Sequence, residues 1–159
     1  MRLAIVLMAA MALPGCLFDR PLVPGTPEPV DARLVGAWRC VAPDAEEPAI
    51  LTVTGSADRR YRAELAGKDE KPSIYSAQAV AFEGKRLLNV QEIEDGTPKR
   101  WTVVRYTLLR PDALHIEAAD EKAFEGASTD AQRLAAMKRA LAHDALFSAF
   151  CTCVRIPKK

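Results

Sequence analysis

Four cysteines, two histidines and a scatter of carboxylates are the residues of this chain with chemistry to offer. The cysteines are Cys16, Cys40, Cys151 and Cys153. Three chemistries suit them: acylation of one thiol, a disulfide, or a thiolate metal site. Cys151 and Cys153 are spaced C-x-C, not the C-x-x-C of zinc ribbons and redox sites, and no second cluster accompanies them. A site built from Cys40, Cys151, Cys153 and one histidine is therefore the weaker expectation. No metal and no cofactor are expected.

Neither histidine sits in a catalytic pattern. His115 alternates with Leu114 and Ile116, which puts it on the wet face or in a cleft of a strand. His143 falls in the last turn of a helical pattern, where a cationic ring suits the dipole. No G-x-S-x-G, H-E-x-x-H or G-x-G-x-x-G occurs. Glu117, Asp120, Glu121 and Glu125 read as a solvated acidic run. No catalytic residue is assigned, and the chain is expected not to be an enzyme.

Cys16 is set apart by what precedes it. Arg2 and the amino terminus are followed by Leu3 to Leu13, eleven apolar residues, and then by Pro14-Gly15-Cys16. A spanning helix needs ~20 apolar residues, whereas the h-region of an export signal needs about 7–15. Export follows. Leu13-Pro14-Gly15-Cys16 resembles the lipobox of bacterial lipoproteins, with Pro14 where Ala or Ser is commoner. The resemblance implies removal of residues 1–15 and acylation of Cys16. The other reading is an A-x-A site at Ala10-Met11-Ala12, which leaves Cys16 as a plain thiol.

Leu17 to Asp31 carries Pro21, Pro24, Pro27 and Pro29. Such a stretch favours extended polyproline geometry, about 3.1 Å per residue, and the whole would reach ~45 Å as a tether. In enterobacterial lipoproteins a residue other than Asp after the cysteine implies the outer membrane, and here it is Leu17. The expected location is thus the bacterial envelope, lipid-anchored, on the outer membrane facing the periplasm.

The remaining elements must position everything else. Alternating segments run at Ala37 to Val41, Ala49 to Thr54, Arg60 to Leu65, Ser73 to Phe82, Arg86 to Ile93, Trp101 to Leu109 and Ala113 to Glu117. Glu83-Gly84-Lys85 and Asp95-Gly96-Thr97-Pro98 are turn signals between them. Thr129 and Gln132 form a capping box before a helix to about Asp144, with Leu134, Met137, Leu141 and Ala145 on one face. Cys151 to Ile156 alternates again and closes the chain.

Gly36-Ala37-Trp38 on the first strand, with Arg155 after a late helix, resembles a feature of the lipocalin superfamily. There G-x-W opens the first strand and a basic residue near the chain end packs across the tryptophan. Seven strands before the helix, rather than eight, and no T-D-x-Y depart from that pattern. The expected fold is mainly β: an antiparallel meander forming a small lipocalin-like barrel or half-barrel, with one C-terminal helix and a closing strand. Its organisation is a signal peptide at 1–15, the lipidated Cys16 and tether at 16–31, and the β-barrel-like domain at 32–159.

Spacing makes closure testable. If the first and last strands pair antiparallel with residue numbers summing to 193, Cys40 faces Cys153 and Trp38 faces Arg155. The expectation is a Cys40–Cys153 disulfide, with Cys151 as the alternative partner, and a cation–π contact from Arg155 to Trp38.

Charge narrows the partners. Lys+Arg 22 stand against Asp+Glu 21, and loss of the first fifteen residues removes Arg2 and leaves 21 against 21. No basic field exists to gather nucleic acid. The expected partners are the membrane, through the lipid anchor, and another envelope protein. The alternative is a small hydrophobic ligand, for which Ala63, Ala77, Ala79 and Ala81 would leave room inside the sheet.

Overall fold

The computed structural model describes residues 18–157. The signal segment and Cys16 lie outside the described residues. Eight antiparallel strands pair in sequence order and close on themselves. They are β1 (Gly36–Val41), β2 (Ala49–Gly55), β3 (Tyr61–Ala66), β4 (Ser73–Phe82), β5 (Lys85–Glu94), β6 (Thr97–Arg110), β7 (Ala113–Ala119) and β8 (Phe147–Arg155). A 3-10 turn at Glu121–Phe124 and a helix, α1 (Asp130–Ala142), stand between β7 and β8. The fold is a closed meander barrel, not a half-barrel, and the closing strand β8 supplies the eighth position.

Local chemistry sets the corners. Glu83 and Gly84 have φ of 48° and 71°, and Asp95 and Gly96 have 49° and 78°. Phe82 pairs with Lys85 and Glu94 with Thr97. These are two-residue hairpin turns whose positive φ matches the strand twist. The second turn is tighter than expected, so β6 begins at Thr97 rather than Trp101. α1 starts on the capping box: Gln132 N–H donates to Thr129 Oγ1 at 3.2 Å and Thr129 N–H to Gln132 Oε1 at 3.1 Å. It stops at Ala142, His143 caps it, and Asp144 turns left-handed at φ 50°. Ala145 is therefore exposed outside the helix, and Ala136 takes its place beside Met137 and Leu141.

Two hydrophobic layers result. Trp38, Leu51, Val53, Leu65, Ala77, Ala79, Leu88, Val90, Val104 and Leu114 fill the barrel. A second cluster lies outside it, where Val80, Phe82, Leu87 and Val103 meet α1 and the N-terminal arm. Strands β4 to β6 are thus apolar on both faces, as strands covered on both sides must be.

The arm departs from the expected tether. Phe18 pairs with Trp101 in both directions, N–H to C=O at 3.0 and 2.7 Å, and its ring is 2% exposed. Leu22 and Val23 are buried in the outer cluster. Asn89 grips the Val23 backbone: Val23 N–H donates to Oδ1 at 3.1 Å and Nδ2 donates to the Val23 carbonyl at 2.9 Å. Glu28 N–H reaches the Ala79 carbonyl at 2.8 Å, and Arg59 and Arg86 donate to the carbonyls of Pro27 and Pro29. Proline removes donors but leaves carbonyls, and the barrel supplies the donors. From Phe18 onward the segment is a strap fastened to the barrel, not a free spacer, and the domain includes it.

Candidate functional site

The seam where β1 meets β8 gathers most of the residues that the sequence singles out. Its register runs Trp38↔Arg155, Arg39↔Val154, Cys40↔Cys153 and Val41↔Thr152. Alternation sends Trp38, Cys40 and Cys153 inward and Arg39, Val41 and Val154 outward.

Inside the seam, Cys40 and Cys153 are joined by a disulfide, with Cα atoms 4.0 Å apart. Cys151 is a buried free thiol whose Sγ lies 3.6 Å from that of Cys153. Burial pushes its pKa up to about 12, which keeps it a thiol at neutral pH. The three sulfurs lie within 4.8 Å of one another, but two are consumed in the disulfide. Neither histidine joins them: His115 Nδ1 contacts Thr152 Oγ1 at 3.1 Å, and His143 caps α1.

Above the disulfide, the Arg155 guanidinium lies 4.1 Å from the centre of the Trp38 ring. It also donates to the Val35 carbonyl at 3.0 Å and to the Arg33 carbonyl. Trp38 Nε1 donates to the Leu34 carbonyl at 2.9 Å. Gly36 makes this possible: its φ is 138°, and a Cβ there would stand 2.7 Å from Arg155 Nη1. The last strand thus latches the point where the strap turns into the first.

The strap also plugs that end of the barrel. Asp31 N–H donates to Tyr61 Oη at 2.6 Å, and Tyr106 Oη donates to Asp31 Oδ2 at 3.0 Å. Arg33 clamps the same carboxylate through Nε at 2.9 Å and Nη2 at 2.8 Å. The Asp31 side chain is 6% exposed, and the Arg33 hydrogen bonds hold its pKa down to about 2 against the cost of burial. Burial pushes the Tyr106 hydroxyl above its usual range. Below the plug is a cavity of about 100 Å³ lined by apolar side chains and by Tyr61, Tyr75 and Tyr106. Ala63 and Ala77 line it, Ala79 is buried in the same core, and Ala81 is exposed.

The acidic run is not uniformly solvated. Glu117 lies opposite Arg105 across β6 and β7 and accepts from its Nε and Nη2 at 2.8 and 2.9 Å. Arg105 also reaches Asp144 at 2.9 Å and stacks 4.7 Å from the Phe147 ring. Asp120 caps the 3-10 turn through the Lys122 N–H.

On the outer side of the seam, Val41, Ile50 and Val154 surround Arg39, which pairs with Ile50 on one side and Val154 on the other. Val41 and Val154 are 48% and 52% exposed, well above an ordinary sheet face packed by a neighbour. Among the described residues, strap and helix pack on the outer face of β4 to β6 rather than on this one.

No protein-family model matches the chain, and neither a curated protein nor a solved structure matches it. The site stands on its own geometry.

Asp31, Arg33, Tyr61, Tyr106 and Asn89 were not singled out by sequence reasoning. Their signals are faint. Asn89 is a lone polar residue in an apolar strand, and Asp31 and Arg33 follow four prolines.

Proposed function

We propose that this is a non-catalytic bacterial envelope lipoprotein, anchored through acylated Cys16, whose barrel binds another envelope protein. The lipobox resemblance supports the anchor. The bare patch of Val41, Ile50 and Val154 around Arg39 carries the binding reading. Exposed apolar side chains rimmed by polar ones mark partner surfaces, and Arg39 asks for an acidic group on the partner.

The interior favours this over a carrier of large ligands. Small-molecule pockets run to about 300–1,000 Å³, several times the 100 Å³ of the apolar barrel cavity. The larger hollow of about 330 Å³ beside Thr54, Arg60, Arg62 and Ile93 is open and edged by charged side chains. A second reading remains attached to the barrel cavity: it is lined by apolar groups and is smaller than the ~150 Å³ cavity that takes benzene or xenon. A ligand there would be a few carbon atoms in size, or the tip of an acyl chain.

The test places a photo-crosslinking residue at Thr52, exposed on the same face of β2 as Ile50, in the protein expressed in its own envelope. One crosslinked envelope protein, lost in an Ile50→Glu/Val154→Glu variant that retains its fold, is the expected result. Crosslinks unchanged by that variant, or none in a sample with acylated Cys16, overturn the binding reading. Xenon shifts in NMR spectra of residues lining the cavity, abolished by Ala77→Leu, would support the ligand reading instead.

A further inference from the structure

Phe18 is the point at which the chain fastens to the barrel, and it stands two residues after Cys16. Two residues of chain span at most ~7 Å. The Phe18 ring is buried against Phe124, edge-on at 5.0 Å between centroids, with the Arg133 guanidinium 5.8 Å from its centre. Its backbone is paired in both directions with Trp101. The lipid anchor therefore has no length to lift the domain, although seventeen further residues, 19–35, precede β1 at Gly36.

We propose that the barrel lies directly on the lipid surface, apposed through the start of β6, the 3-10 turn and the first turn of α1. This inference rests on the lipoprotein reading of Cys16. The occupant of the surface is the bilayer itself, because the acylated end of the chain is where this wall begins. Trp101 points outward there and is partly exposed, and tryptophan is the side chain that suits a headgroup interface. The charges around it are balanced: Arg20 meets Asp130 at 3.0 Å and Arg100 meets Asp19 at 3.3 Å. Glu121 and Glu125 are exposed on the 3-10 turn of the same wall, with Lys122 between them and Arg133 in the first turn of α1 to offset them, so the wall carries no large net charge against anionic headgroups. The partner surface around Arg39 belongs to β8, β1 and β2, away from the wall that the strap covers, and stays open to the periplasm.

The two tryptophans make the test direct. Trp38 is 0% exposed inside the barrel and serves as the internal reference, whereas Trp101 is at the anchored wall. Full-length lipoprotein from native membranes is reconstituted into phosphatidylcholine/phosphatidylglycerol vesicles with or without brominated acyl chains. Its intact mass is measured on the same preparation. Brominated lipid is expected to lower the wild-type emission to the level of Trp101→Phe, whose own emission does not change. A ten-residue Gly/Ser insertion between Leu17 and Phe18 is expected to restore the lost emission. An acylated protein whose emission ignores brominated lipid overturns the apposition while leaving the anchor standing. A preparation whose mass shows no acyl group overturns the anchor, and the apposition with it.

Discussion

The Arg155 guanidinium packs 4.1 Å from the Trp38 ring centre while donating to two carbonyls of the incoming strap, so one side chain ties the last strand, the first strand and the arm together. Arg155→Ala should cost about 1–3 kcal/mol in denaturant unfolding. Gly36→Ala should cost a similar amount, because its φ and its closeness to Arg155 both oppose a Cβ. The two losses should not add: without Arg155, only the backbone strain at Gly36 remains. Strict additivity would place Gly36 outside the latch.

The disulfide bridges residues 113 apart in sequence. Loss of a cross-link of that span costs about 2–5 kcal/mol. A Cys40→Ala/Cys153→Ala variant should lose that stability yet keep its β-sheet circular dichroism, since hydrogen-bonded pairing to β8 continues on both sides of the seam. Cys151 should resist iodoacetamide at pH 8 in the folded protein and react at once in guanidinium, in keeping with its burial and raised pKa. Rapid labelling of the folded form would contradict that placement.

Acid should release the plug. The Asp31 carboxyl is held down to about 2 by Arg33, below its ordinary 3.8. A depressed folded pKa means stability that is fully present above pH ~4 and lost as pH falls through 2. With Arg33 largely in solvent, the contribution is about 1–2 kcal/mol. Wild type should therefore lose stability between pH 4 and 2 that Asp31→Asn lacks at every pH. Parallel pH profiles for the two proteins would assign the acid loss elsewhere.

Asn89 should fasten the strap. Asn89→Ala leaves the Val23 N–H and C=O without their partner at a buried position, at a cost of about 1–3 kcal/mol. Amide exchange should speed up through residues 18–31 while β5 and β6 keep their protection. Uniform loss of protection would mean that the strap and barrel unfold as one.

The strands were legible because period-two alternation and Gly-containing turns are local signals: on β3, Tyr61 and Leu65 are buried while Arg62 between them is exposed. The seam register was legible because two residue pairs share one spacing. The strap was not. Four prolines announce the absence of regular structure, which is different from the absence of contacts, and Phe18, Leu22 and Val23 bury themselves in an irregular path. The paired apolar residues at Leu87-Leu88 and Val103-Val104 were the matching signal: a strand apolar on both faces needs a cover outside. Glu117 was misplaced in solvent because its partner, Arg105, is brought opposite only by the β6–β7 register. The plug at Asp31 depends on tyrosines from two distant strands, and no local pattern joins them.

The anchor is the central claim, and the intact mass of protein taken from its native membrane, before and after reduction, tests it most directly. The account predicts a chain that begins at Cys16, carries two or three acyl groups, and gains two hydrogens on reduction. A chain that begins at Leu13 without lipid would contradict it and return the protein to solution with Cys16 as a free thiol.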